Sequence, residues 1–177
     1  MGDDFLVYME RLQLMAFFSG YPLVYALAQV FHGSANKNNK FADRLVRSLP
    51  FSYALCATAY IGLFLKDCYP DFSWTNIQAH LGSPYLQIWG MMGVCFWIYP
   101  LNRKPVFSLL HSFVFFFFIV RDLFIYLTSA HIPDIIRNNM RIFTDSLLLN
   151  LLSLAVVLFC LYLLHAYRSK NSQRTLH

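Results

Sequence analysis

Two ionisable residues stand side by side, Arg121-Asp122, inside the run Val106–Thr128 (VFSLLHSFVFFFFIVRDLFIYLT). The 23 residues of that run are almost all apolar. A helix of about 20 such residues crosses the hydrocarbon core of a bilayer. Charges within it are costly and persist where they face protein or water. The pair therefore points to a polar interior, either a clamp between helices or the lining of a hydrated path. At 100° per residue, Ser108, His111, Asp122 and Ser129 fall within about 40° of one helical face, with Arg121 on its flank. A second seam follows in the last apolar run, where Ser146, Asn150, Ser153 and Cys160 keep 4-3-7 spacing. Counted inward from the loop that joins the two runs, Arg121 and Asn150 lie at similar depth, with Asp145 about a turn above. Arg121, Asp122, Asp145, Asn150 and His111 are the expected polar interior, with Arg121 bonded to Asp145 or Asn150.

Other chemistry lacks its parts. The chain carries no nucleophile elbow with Ser, His and Asp, no H-E-x-x-H, no P-loop and no Asp-rich phosphotransfer pair. His111 and Asp122 stand about 16 Å apart along one helix, too far for concerted proton transfer. His32, His111 and His165 do not pair at one depth as a haem or metal site needs, so neither a cofactor nor a metal is expected. Cys56, Cys68, Cys95 and Cys160 form no C-x-x-C, and they read as small apolar residues rather than redox groups. The expectation is a protein that is not an enzyme.

The elements that must hold these residues are membrane helices. The chain is 58% hydrophobic and only 13% charged, where soluble domains carry about 25% charged residues. Its 18 Phe and 11 Tyr suit lipid-facing and interfacial surfaces. Five spans are predicted in a single all-α domain over residues 1–165: 12–31, 49–65, 84–101, 106–128 and 143–165, with a basic tail at 166–177. The second and third are the shortest, and a re-entrant third segment is the alternative. On span one, Ser19-Gly20-Tyr21-Pro22 predicts a kink, because Pro22 cannot donate to the Phe18 carbonyl. Ala54, Thr58 and Gly62 on span two, with Gly90 and Gly93 on span three, permit close helix approach. No internal repeat of the transporter kind is visible.

Charge sets the orientation. The net charge of +5 is spread between apolar runs rather than gathered in one patch, which argues for topology and against nucleic acid as a partner. One side collects Lys37, Lys40, Arg44, Arg47, Arg103, Lys104, Arg168, Lys170 and Arg174; the other has Arg11, Lys66, Arg137 and Arg141. Nine against four places the first set in the cytoplasm, with the N-terminus outside and the C-terminus cytoplasmic. The segment Ser34–Ser48 sets Lys40, Arg44 and Arg47 around one side of a short helix and Phe41, Leu45 and Val46 on the other, and Lys37 joins these basic residues as a candidate for surface or partner binding. That pattern suits an anionic leaflet or a partner. Outside, Ser73 caps a short helix that ends before Gly82, and Pro133 opens one leading into span five.

The expected function is that of a pore-forming or transport-type subunit of the cell (inner) membrane, embedded in the lipid bilayer as a homo-oligomer or with a partner membrane subunit. A conducting path forms more easily between subunits than within one five-helix unit. The alternative is a non-conducting accessory or anchoring subunit that binds through its basic loop. A membrane redox subunit comes third.

Overall fold

The computed structural model describes residues 14–34, 40–81, 84–128 and 133–174, with side chains except at 79, 122–123, 125–140 and 168–174. Every regular element among them is helical, with no strand. A helical stretch at 14–18 and a turn at Ser19-Gly20 lead into α1 (Tyr21–Ser34). Then come α2 (Lys40–Asp67), α3 (Trp74–His80), α4 (Pro84–Met92), 3-10 turns at Gly93–Trp97 and Leu101–Arg103, α5 (Pro105–Thr128) and α6 (Pro133–Arg174). Three helical stretches are long and apolar enough to cross a membrane: Leu14–Ser34, Lys40–Asp67 and Arg141–Tyr167. The apolar stretch Pro105–Arg121 of α5 is shorter.

Several expected boundaries move. The basic segment from Lys40 onward is not a separate surface helix but the first third of α2, which begins nine residues ahead of the expected span. Nothing breaks the helix there: Asp43 lies in its first turn, and Ala42 and Leu45 pack inward on the same face as Leu49. Lys37 lies outside the described residues. Pro50 is accommodated inside α2, where Ser48 and Ser52 donate to the Leu45 and Leu49 carbonyls at 2.8 and 3.1 Å. The fifth expected span is the middle of α6, which continues through 166–174, so that stretch of the tail is helical.

The third expected span is not one helix. α4 lasts nine residues and gives way to 3-10 turns. Close packing accounts for the change. A Cβ on Gly93 would stand 2.8 Å from the Ala57 Cβ, and one on Gly90 would stand 2.9 Å from Leu14 Cδ1. Segment 84–103 nevertheless follows α2 in the opposite sense along most of its length. Gln87 shares a cavity with Lys66 and Asp67, Gly93 meets Ala57, and Asn102 and Arg103 share a cavity with Arg47. Gly62 meets nothing, so the expected small-residue stripe on α2 ends below it.

Aromatic rings join the elements. Phe18 stacks on Phe115 with ring centres 4.7 Å apart, Tyr21 lies 4.5 Å from Tyr53, and Tyr53 meets Phe96 edge-on at 5.4 Å. Such pairs contribute about 0.5–1.5 kcal/mol each beyond their buried area. The outward faces are apolar too: Leu110, Phe113, Phe117, Val120 and Phe124 line the outside of α5 at 3–4 spacing. Leu148, Leu152, Phe159 and Leu163 do the same on α6. A chain that leaves so many large apolar side chains uncovered suits a lipid surrounding.

Candidate functional site

Two polar clusters lie within the bundle. The first forms where the chain breaks at Ser19-Gly20. Gly20 N–H donates to Ser146 Oγ at 2.7 Å, and Ser19 Oγ donates to the same oxygen at 3.1 Å. One turn on, Asn150 Nδ2 donates to the Phe17 and Ser146 carbonyls at 3.0 and 2.9 Å. Cys56 Sγ donates to Asn150 Oδ1 at 3.4 Å and lies 3.0 Å from Ser153 Oγ. α6 thus satisfies the backbone groups that the interrupted helix leaves over, as a buried helix end requires. Ser19, Ser146 and Asn150 are fully buried.

The second cluster surrounds His111. Ser108 Oγ donates to the Pro105 carbonyl at 2.8 Å, so its single proton is used and Tyr21 O–H donates to Ser108 at 2.7 Å. Tyr53 Oη lies 2.7 Å from His111 Nδ1. Among the described residues a tyrosine donor leaves one buried group without a partner, the imidazole Nε2–H; the opposite tautomer leaves two, so the tyrosine donates. Trp89 stacks on the imidazole with centres 4.6 Å apart and planes 7° from parallel, and its Nε1–H donates to the His111 carbonyl at 3.1 Å. Phe96 and Phe115 close the remaining sides. None of the four cavities described below is lined by His111.

The structure therefore brings Asn150 and His111 inside the bundle and separates them from the charges expected beside them. Arg121 is exposed on the outside of α5. Asp145 is also outside, 3.9 Å from Arg141 one turn earlier on α6. Among the described residues no bond joins Arg121 to Asp145 or Asn150, which corrects that expectation; the Asp122 side chain lies outside them. The reason is depth and angle. Phe115 is level with Phe18 and Gly90, and Arg121 lies six residues beyond it, about 9 Å by helical rise. That brings it near the end of the bundle where Lys66 and Asp67 stand, on a different face from His111. His111 itself lies inside, as expected, but among aromatic rings rather than beside charges. Cys160 faces outward, so the α6 seam extends from Ser146 only to Ser153.

Among the described residues, cavities open at the sides and ends, four of which bear on the site. One of about 180 Å³ lies at the Lys66 end, between Phe17, Tyr60, Lys66, Asp67, His80 and Gln87. Gln87 Nε2 donates to the His80 carbonyl at 3.0 Å, which fixes the amide orientation and leaves Oε1 buried without a partner among the described residues. A single amide within an apolar run was the sequence signal for it; Tyr53 and Trp89, common residues in such runs, gave none. An apolar cavity of about 270 Å³ lies between α1, α2 and α6, around Ala28, Ala42 and Leu154. Another of about 310 Å³ is lined by Arg44, Tyr162 and His165. The largest of these four, about 690 Å³, lies at the basic end beside Arg47 and Arg103. Lys40, Arg44 and Arg47 are all exposed there on α2. Among the described residues no three His, Cys, Asp or Glu side chains gather as metal ligands. No protein-family model, curated protein or solved structure matches the chain.

Proposed function

We propose that the chain is an integral membrane protein of the cell (inner) membrane that crosses the bilayer five times, with the N-terminus outside and the C-terminus in the cytoplasm. It works as a component of a membrane assembly and does not conduct through its own bundle. The observation that carries this reading is the spacing of the charges. By helical rise, Arg47 to Lys66 on α2 covers about 29 Å, Pro105 to Arg121 on α5 about 24 Å, and Asp145 to His165 on α6 about 30 Å. The hydrocarbon core of a bilayer is about 30 Å thick. Charged or polar residues thus bracket an apolar stretch of about that thickness on α2 and α6 and a shorter one on α5, where Lys104 precedes Pro105, and segment 84–103, running beside α2 over the same depth, supplies the further crossing. Between the two charged levels the polar groups of Ser19, Ser146 and Asn150 are bonded to one another or to backbone, and Tyr53 is bonded to His111. Those bonds fix helix registry; of the two buried atoms left without a partner among the described residues, His111 Nε2 is packed among rings and Gln87 Oε1 lies at the Lys66 end, so they do not form one line through the bundle.

The second reading is a pore or transport path between copies. It is favoured by the outward stripe Leu110, Phe113, Phe117 and Val120, whose 3–4 spacing can seat another helix as well as lipid. Single cysteines at Lys40, Lys104 and Gln78, with the four native cysteines replaced by alanine, test the crossings. Lys40 and Lys104 should be labelled from the cytoplasmic face and Gln78 from the opposite one. Labelling of Lys104 and Gln78 from the same face would remove the crossing by segment 84–103. Sizing in mild detergent, with ion flux from vesicles, separates the two functions: a monomer or small assembly without flux is expected, and a conducting ring would establish the second reading instead.

A further inference from the structure

We propose that the cavity between Arg47 and Arg103 binds an anionic phospholipid, taking its phosphate between the two guanidinium groups and the start of its glycerol and acyl portions against Phe51 and Pro105. Both arginines line a single space of about 690 Å³, within the usual range of ligand cavities, and no acidic residue lines it with them. Two permanent positive charges facing one space call for an anion. The guanidinium fork matches two oxygens of a phosphate, which a lysine ammonium does not. The Arg103 guanidinium centre stands 4.6 Å above the Tyr99 ring. That stacking holds the planar group in place while its N–H edges stay available. Asn102 adds an amide to the same wall. The opposite wall, Val46 and Phe51, is apolar and backed by Trp97, 6.0 Å from Phe51. A wall of that kind distinguishes an amphiphile from free phosphate.

Position agrees with chemistry. The cavity lies at the end of the apolar slab, about 29 Å below Lys66, where headgroup phosphates stand. Basic pockets between membrane helices at that level suit anionic headgroups. The proposal rests on the membrane reading above and adds a specific lipid class to it.

Native mass spectrometry of the full chain in neutral detergent, titrated with phosphatidylglycerol or phosphatidylcholine of matched chains, reads the site. Phosphatidylglycerol should be retained in preference, and R47Q/R103Q should weaken its binding roughly 30-fold. K40Q/R44Q removes the same charge from the same end of α2 and should weaken it by no more than about threefold. R47K/R103K should recover only part of the loss. Equal binding of the two lipids, or equal losses in the two glutamine double variants, would overturn the site in favour of general surface attraction. Competition by millimolar inorganic phosphate would overturn the lipid as its occupant. Flotation with phosphatidylcholine vesicles separates this from the membrane reading: protein that floats but shows no lipid preference overturns the headgroup site alone, and protein that does not float overturns both.

Discussion

Gly20 and Leu147 cross with no room for a methyl group between them: a Cβ on Gly20 would stand 2.5 Å from the Leu147 backbone nitrogen and 2.6 Å from the Ser146 carbonyl carbon. Both obstacles are backbone, which cannot rotate aside. The same approach lets Gly20 N–H reach Ser146 Oγ at 2.7 Å. Gly20→Ala should therefore force α6 away from the turn and cost about 3 kcal/mol, at the upper end of overpacking losses. Gly62, whose Cβ would meet nothing, is the comparison: Gly62→Ala should leave stability unchanged or raise it by up to about 1 kcal/mol. Thermal unfolding in detergent reads both. Equal effects at the two positions would show that α6 does not cross at Gly20.

Asn150 does what the turn at Ser19-Gly20 requires, since its amide occupies the Phe17 carbonyl at 3.0 Å. Asn150→Leu removes that donor and leaves a buried carbonyl unpaired, at a cost of about 1–3 kcal/mol. Hydrogen bonds between membrane helices contribute about 0.6–2 kcal/mol each, so the lower half of that range is expected. A cycle with Cys56→Ala should show coupling, because Cys56 donates to the same side chain. Strict additivity of the two losses, measured by unfolding, would show that the Cys56 contact carries no energy.

The placement of helices was legible where length and apolar content decide it. The long runs became α1, α2, α5 and the centre of α6, and Ser73 caps α3 by accepting from the Asn76 N–H. Asn150 was visible because its seam spacing of 4 and 3 is a helical property that needs no partner. The side of the helix on which Arg121 lies was not legible in the same way. Within a continuous apolar run nearly every face is equally apolar, so periodicity cannot distinguish the face toward protein from the face toward lipid. Segment 84–103 misled for another reason: its composition is that of a span, but Gly90 and Gly93 are used for contact with Leu14 and Ala57 rather than for an even helix. The partner of His111 lay on a helix 58 residues away, and no local pattern announces Tyr53.

Cys68, the first residue after α2, is 1% exposed, and burial followed by the neighbouring Asp67 carboxylate pushes its thiol above the ordinary 9.0. The folded protein thus holds the proton more tightly than the unfolded chain. The stability this contributes is fully present below the unfolded thiol's range and is lost as pH rises from there through the higher range of the folded thiol. At pH 8 a water-soluble maleimide should alkylate Cys68 more slowly in the folded protein than in denaturant, because the thiol is buried and the thiolate is the reactive form. Asn76 holds the loop over it by donating to the Cys68 and Asp71 carbonyls at 3.2 and 2.6 Å. Asn76→Ala should raise the folded rate several-fold. Mass-spectrometric quantification of alkylated Cys68 checks both, and a folded rate equal to the denatured one would place Cys68 at the surface.

Arg121 tests the difference between a charge in the interior and a charge at the boundary. An interior partner would make its loss expensive, since breaking a buried pair costs about 3–5 kcal/mol. Its side chain is instead exposed on α5, about 9 Å beyond the level of Phe115, where a long basic side chain can extend its head to the polar layer. Arg121→Leu should therefore change unfolding stability by less than about 0.5 kcal/mol and leave assembly unaltered. Asp145→Asn should be equally mild, because the Arg141–Asp145 pair is exposed, 3.9 Å long and one helical turn apart, a geometry that contributes about 0.3–0.5 kcal/mol. The charge swap of Arg121 with Asp145 should accordingly recover nothing, there being little to recover. A loss above about 2 kcal/mol in Arg121→Leu, with recovery in the swap, would return both residues to the interior and revive a charged path through the bundle.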